Sequence, residues 1–320
     1  MSKSYYERFP VSDFPGSANK RVRFFSSECI DEADYVARHR QGQVDRAREL
    51  RETFEAGSAS RQRELRKLLK YRHRHNTVLV MTLNRGFSDL LKNWVASCDR
   101  HGIEVRSWTL IAAMDEETAQ QFESMGFAVY LSAPAYGNPG PDSAAVFGDL
   151  IFKDMMFAKT AVVQDVLSIG HDVLFQDVDM VWKKDPAEFL LRPERHVLDA
   201  QFMYDGPNSM YAPLHANSGF FFLRNNERSR IFWQQVFDNF DKVYAYGGQQ
   251  MHVNMLLVTS YFRGLKIDIL KEAEFANGHL FSNKDVSSLP TDPYVIHCSW
   301  TRNLEHKMEK YRLANIWYLQ

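Results

Sequence analysis

Gly170-His171-Asp172-Val173-Leu174-Phe175-Gln176-Asp177-Val178-Asp179-Met180-Val181-Trp182 is the stretch that decides the fold. Val173, Leu174 and Phe175 make a short apolar run behind a glycine, which reads as a buried strand. Two carboxylates end it, Asp177 and Asp179, with Val178 between them. On an extended backbone residues i and i+2 share a face, so both acids are expected to leave the sheet together. They would do so at its C-terminal edge, where open α/β folds bind ligands. Two hard oxygen ligands so placed suit Mg²⁺ or Mn²⁺, with water and phosphate oxygens completing the shell. Asp-x-Asp triplets are also common in solvated turns, so the motif draws its weight from context. That context is an apolar strand before it, Val181-Trp182 after it, and then Asp185-Pro186 as a helix start.

Working outward, strands and helices alternate. Thr77–Leu83 reads as a buried strand, and Ser88 stands where it would cap a helix with Leu91, Trp94, Val95 and Cys98 on one face. Ile103 to Ala112 reads as the next strand, Asp115 opens a helix that ends near Gly126, and Phe127 to Leu131 makes a third strand. This alternation predicts parallel βαβ units. Residues 132–148, with Pro134, Gly137, Pro139, Gly140 and Pro141, read as a long loop of the kind that closes over a site. Asp149 to Ile169 is expected to be a helix carrying Lys153 and Lys159. Beyond the acids come a strand at Val197 to Met203 and a glycine-containing apolar strand, Asn217-Ser218-Gly219-Phe220-Phe221-Phe222-Leu223. Glycine within a strand permits close approach by a ligand or neighbour. A helix from Glu227 to Phe240 would bury Ile231, Phe232, Val236 and Phe240. Gly247-Gly248-Gln249-Gln250 opens another helix, and strands near Ile267–Leu270 and Tyr294–His297 precede a last helix.

The bulk properties narrow the class. The chain has 320 residues, 45% of them hydrophobic, and a formal charge of -1. Such balance offers no overall basis for binding nucleic acid or a membrane surface, and no apolar run approaches the length of a membrane span. Cys29, Cys98 and Cys298 are few, odd in number and far apart, which speaks against a disulfide framework or a zinc site. A cytoplasmic location is the simplest expectation; a Golgi-lumenal enzyme lacking its leader would look the same. Asp31 to His75 is rich in arginine and lysine and is broken by Gly57-Ser58 into two expected helices, with Ser58 or Ser60 as cap. It reads as a solvated hairpin packed through Leu65, Leu68 and Leu69 rather than as a surface for an anionic partner.

Taken in order, several motifs resemble one family. They are Val80-Met81-Thr82-Leu83-Asn84-Arg85-Gly86, Asn93-Trp94, Lys159, the Asp177-Val178-Asp179 block with Val181-Trp182, Asn217-Ser218-Gly219, Gln249-Gln250 with Asn254, and His297 with Trp300. The chain resembles the nucleotide-diphospho-sugar transferases of glycosyltransferase family 77, over residues 76–318. The resemblance implies an α/β fold of the GT-A type, a Rossmann-like mixed sheet flanked by helices. The expected organisation is a basic helical N-terminal extension (1–75) followed by the transferase domain (76–320).

It further implies that Asp177 and Asp179 are the DxD pair holding Mn²⁺ (or Mg²⁺) against the diphosphate of a UDP-sugar, with His297 as third ligand. Thr82, Asn84, Asp177, Lys159 and Lys307 would contact the donor, and Gln249 and Gln250 would sit at the reacting centre. The family usually carries Asp-Gln there, and an amide at 249 can neither act as a base nor carry charge. UDP-galactose, UDP-xylose and UDP-arabinose are the candidate donors, a glycan or glycoprotein the acceptor, and retention of anomeric configuration the expected outcome. A catalytically silent domain that binds a sugar nucleotide or protein is the alternative. A two-metal phosphohydrolase would need more carboxylates at strand ends than the sequence offers.

Overall fold

The computed structural model describes residues 28–132, 135–137, 150–246, 248–281 and 285–319 (backbone alone at 28–40, 245 and 246). The expected loop of residues 132–148 therefore lies almost wholly outside the described residues. So do residues 1 to 27 and the first residue of the helix expected from Asp149.

Strands β1 (Thr77–Leu83), β2 (Thr109–Ala113), β3 (Ala128–Leu131) and β4 (Asp172–Gln176) run parallel in the order β3-β2-β1-β4. Their continuous apolar runs follow from burial on both faces. Val78 and Val80 point into one core, and Leu79, Met81 and Leu83 into the other. The sheet continues through β7 (Ala216–Leu223), antiparallel to β4, then β6 (Ala200–Tyr204) and β8 (Ile267–Leu270). The mixed Rossmann-like sheet is thus present, with helices on both faces.

A second sheet was not foreseen. Strands β5 (Met180–Trp182), β9 (Phe275–Asn277) and β10 (Val295–His297) form it, with β10 antiparallel to β5 and parallel to β9. Of these, β10 lies within the strand expected at Tyr294–His297; β5 and β9 are three-residue runs with no periodicity, so nothing in their sequence marks them. Other boundaries move for local reasons. The strand expected from Ile103 begins only at Thr109, because Glu104 ties down Ser107 and the backbone turns there. Ser88 lies inside helix α3 (Ser88–Arg100), whose N-cap is Phe87, and neither Ser58 nor Ser60 caps helix α2 (Ser58–Leu68), whose N-cap is Gly57. Asp115 does cap α4 (Glu116–Ser124), accepting from the Thr118 amide at 2.8 Å. The chain then forms α5 (Leu150–Ser168), α6 (Ala187–Leu190), α7 (Glu227–Asp238), α8 (Phe240–Tyr246), α9 (Gln249–Phe262) and α10 (Leu304–Leu313). On α7, Ile231 faces out, contrary to expectation, while Phe232, Val236 and Phe237 are buried. No helix among the described residues is long and apolar enough to cross a membrane.

Before α2 runs α1 (Glu28–Ala56). By internal packing Gln43–Gln320 is one unit; the residues before it are a second, of which only the helix backbone from Glu28 is described. Within the larger unit Leu65 and Leu69 are fully buried in the core. Arg61, on the same helix, forms a buried ion pair with Asp165 of α5, and Tyr136 donates to that carboxylate at 2.7 Å. Phe54 stacks under the guanidinium, 3.9 Å from its ring centre. Part of the basic N-terminal region is therefore internal structure, bound by a charge that cannot be solvated. Arg61→Ala is expected to lower stability by about 3–5 kcal/mol, the usual cost of stranding a buried charge. Urea unfolding monitored by fluorescence measures it.

Candidate active site

At the end of β4 the chain does not stay extended through the acids. Asp177 leaves the strand and a bend at Val178 and Asp179 leads into β5. The pair therefore converges through a bend between two sheets, not through the alternation of one strand. Two backbone bonds fix that bend: the Asp177 amide donates to the Gly219 carbonyl at 2.7 Å, and the Cys298 amide donates to the Asp179 carbonyl at 2.9 Å. Pairing of β5 with β10 sets Met180 opposite His297, which brings the imidazole against Asp179.

Asp177, Asp179 and His297 each offer a ligand atom, all within 4.8 Å of one another. His297 Nε2 lies 3.1 Å from Asp179 Oδ1, while its Nδ1 is buried with no hydrogen-bond partner among the described residues. Lys307 of α10 binds the other oxygen of Asp179, and Lys159 of α5 donates to Asp177 at 2.9 Å. Lys159 is 1% exposed and packs over the Phe175 ring; Lys307 retains 17% exposure. Burial alone would raise the Asp179 pKa, but Lys307 and His297 outweigh it and hold the carboxyl well below its ordinary range. It is ionised at neutral pH.

Gly219 makes room for this group. A Cβ there would fall 2.5 Å from Asp177 Oδ2 and 2.6 Å from His297 Cε1, closer than any side chain tolerates. The glycine that the sequence suggested for close approach is where approach occurs.

The remaining expected residues have partners of their own. Gln249, buried, donates to Thr160 at 3.0 Å, and its carbonyl oxygen has no partner among the described residues. Gln250 accepts from the Ser218 amide at 2.9 Å. Asn254 is structural, exchanging two bonds with the backbone of Ala216. Thr82 and the buried Asn84 sit at the C-terminal end of β1, beside β4, whereas the side-chain partners of the acids among the described residues are Lys159, Lys307 and His297. Asn93 binds the backbone of Ile316 and Tyr318, and Trp94 packs edge-on to Trp182, so both serve packing.

One residue escaped the sequence reading. Asp205 follows β6 as Asp177 follows β4, a carboxylate at the end of an apolar strand, and that shared signature could have revealed it. It is buried, accepts from Asn217 Nδ2 at 2.5 Å, and burial pushes its pKa up to about 6. Asn217 in turn accepts from the Gly219 amide at 2.7 Å, linking Asp205 to the cluster.

Two acids and a histidine thus meet where β4, β5 and β10 come together, with one lysine from each of helices α5 and α10 against them, beside a mixed, parallel-centred sheet. Residues 105–311, more than half of the chain, match the nucleotide-diphospho-sugar transferase family, and the chain belongs to that family. It is similar to a beta-arabinofuranosyltransferase of Arabidopsis thaliana, RAY1, with 24% identity over 76% of this chain and 48% of that one. It is also similar to UDP-D-xylose:L-fucose alpha-1,3-D-xylosyltransferase 3 from the same plant, with 22% identity over 79% and 69% of the two chains. A solved galactosyltransferase, LgtC in complex with donor and acceptor sugar analogues, aligns over 76% of this chain and 96% of its own at 11% identity and a TM-score of 0.47. The chain spans 42–48% of the length of the first three curated relatives it matches.

Asp205 yields a pH prediction. Below about pH 4 folded and unfolded chains both hold its proton, and as pH rises the unfolded chain releases it first. Stability contributed at this position therefore falls between about pH 4 and 6, by on the order of 3 kcal/mol for a shift of about two units. Asp205→Asn should remove that slope and raise the denaturation midpoint at pH 7.

Proposed function

We propose that this domain is a metal-dependent glycosyltransferase that moves a sugar from a UDP-sugar to a hydroxyl group on a glycan or glycoprotein. The observation that carries the reading is the convergence of Asp177, Asp179 and His297 around the space that Gly219 leaves open. Two carboxylates and an imidazole are a donor set suited to Mn²⁺, and acceptable to Mg²⁺. The buried, unpartnered Nδ1 of His297 marks an acceptor in want of a partner. These residues would hold the ion, which when bound supplies a positive charge to offset that of the departing diphosphate.

The protein's own groups do the rest. Lys159, fully enclosed, keeps Asp177 oriented. Lys307 is the more exposed cation and can turn from Asp179 toward the leaving phosphate, a preorganised charge where charge develops. Gln249 offers a buried carbonyl oxygen and no charge, so this position orients a sugar hydroxyl rather than stabilising a cation. Gln250 is held against the Ser218 backbone beside Gly219, which makes its side chain a fixed wall of the sugar site.

UDP as the carrier is supported by relatives whose names specify UDP-D-xylose and UDP-galactose donors. Arabinose, named in two others, is the third candidate sugar. The alpha linkages named in the xylosyl and galactosyl relatives favour retention, since these UDP-sugars are themselves alpha-linked. A silent domain is the second reading, because lysines already satisfy both carboxylates in the described structure.

Release of UDP from UDP-galactose, UDP-xylose and UDP-arabinose, with and without Mn²⁺, separates the two. Mn²⁺-dependent release from at least one donor is expected; UDP binding with no turnover of any donor supports the silent domain. Asp179→Asn should cut release roughly 100-fold or more. Gly219→Ala should weaken Mn²⁺ binding in calorimetry, since its methyl group would displace Asp177 and His297.

A further inference from the structure

Trp300 departs from what folding alone would favour. Its φ is +57°, in the left-handed region that bulky residues avoid, yet the residue is 40% exposed. Strain of this kind persists only where the surroundings enforce it. Here they do so from three sides. The Cys298 amide binds Asp179, the Ser299 carbonyl accepts from buried Lys310 at 2.9 Å, and the Trp300 indole N–H donates to the Asp205 carbonyl at 2.8 Å. Gly278 completes the clamp: a Cβ there would fall 1.9 Å from the Ser299 carbonyl oxygen. The indole is therefore held in one orientation, three residues from His297, on the β6 side of the acids and away from β1.

Polar groups lie on the same side. The Gln250 amide neighbours both the Asp205 carboxylate and the Tyr211 hydroxyl. A fixed aromatic face beside a few planar polar groups is the arrangement that receives a sugar ring, whose C–H face stacks while its hydroxyls find partners. We propose that Trp300 is the stacking platform of a carbohydrate-binding subsite for the acceptor, with Asp205 and Gln250 as its hydrogen-bonding wall. The proposal rests on the transferase reading given above and adds where the acceptor sugar lies and what holds it.

The test uses the full chain, saturated with UDP and Mn²⁺, on an array of immobilised mono- and oligosaccharides. Trp300→Asn removes the indole but suits a left-handed backbone, and Trp300→Phe keeps a smaller ring. Wild type is expected to bind at least one arrayed carbohydrate, the Phe variant more weakly, and the Asn variant roughly tenfold more weakly or worse, a loss corresponding to about 1.4 kcal/mol. Calorimetric affinity for UDP and the melting temperature of Trp300→Asn should stay at wild-type values or above. The proposal is overturned if Trp300→Asn binds the array as wild type does, or if no arrayed carbohydrate is bound by wild type. It is equally overturned if UDP affinity falls with the indole, which would make Trp300 a nucleotide contact. Failure of wild type to bind UDP would instead count against the transferase reading itself.

Discussion

The position of Asp179 governs the rest of this structure. It is the residue at which the large sheet hands over to the small one, and it is ionised inside the protein. A buried carboxylate is costly unless paired and hydrogen-bonded. Here Lys307 takes one oxygen, His297 faces the other, and the backbone carbonyl is held by Cys298. Each of these partners belongs to β10 or the segment and helix that follow it. The charge at 179 thus fastens the C-terminal part of the chain onto the end of β4, more than a hundred residues earlier in sequence.

The same arrangement has a consequence for chemistry. Each of the two acids is paired with a lysine. On the proposed reading, a divalent ion accommodated among the acids and His297 leaves an excess of positive charge facing the nucleotide edge of the sheet. That excess suits a diphosphate and grows in value as negative charge develops on it. Burial of Lys159 and partial exposure of Lys307 divide the labour between a cation that positions and one that can move.

The sequence made the large sheet legible because its strands are continuous apolar runs separated by amphipathic helices, as in Thr77–Leu83 and Ser88–Arg100. Asp177 and Asp179 were visible for the same reason: charge is conspicuous at the end of such a run. What stayed hidden was short or non-local. Strands β5 and β9 have three residues each, and they form a sheet only by pairing with β10, which for β5 lies more than a hundred residues away. The route by which the acids meet, a bend rather than a pleat, depends on Gly219 and Cys298 and cannot be read from the triplet. Arg61 looked like one of many surface arginines, since nothing local distinguishes the one whose partner is Asp165. Asp205 was missed although it repeats the strand-end signature of Asp177, because it stands alone in sequence and acquires its setting from Asn217 and Trp300.

Diffraction from crystals grown with UDP and MnCl₂, with anomalous data collected at the manganese edge, tests the central claim most directly. The account predicts one strong anomalous peak coordinated by Asp177, Asp179 and His297, with diphosphate oxygens completing its shell. A manganese peak elsewhere, or clear UDP density with Lys159 and Lys307 still paired to two acids that touch no ion, would contradict it.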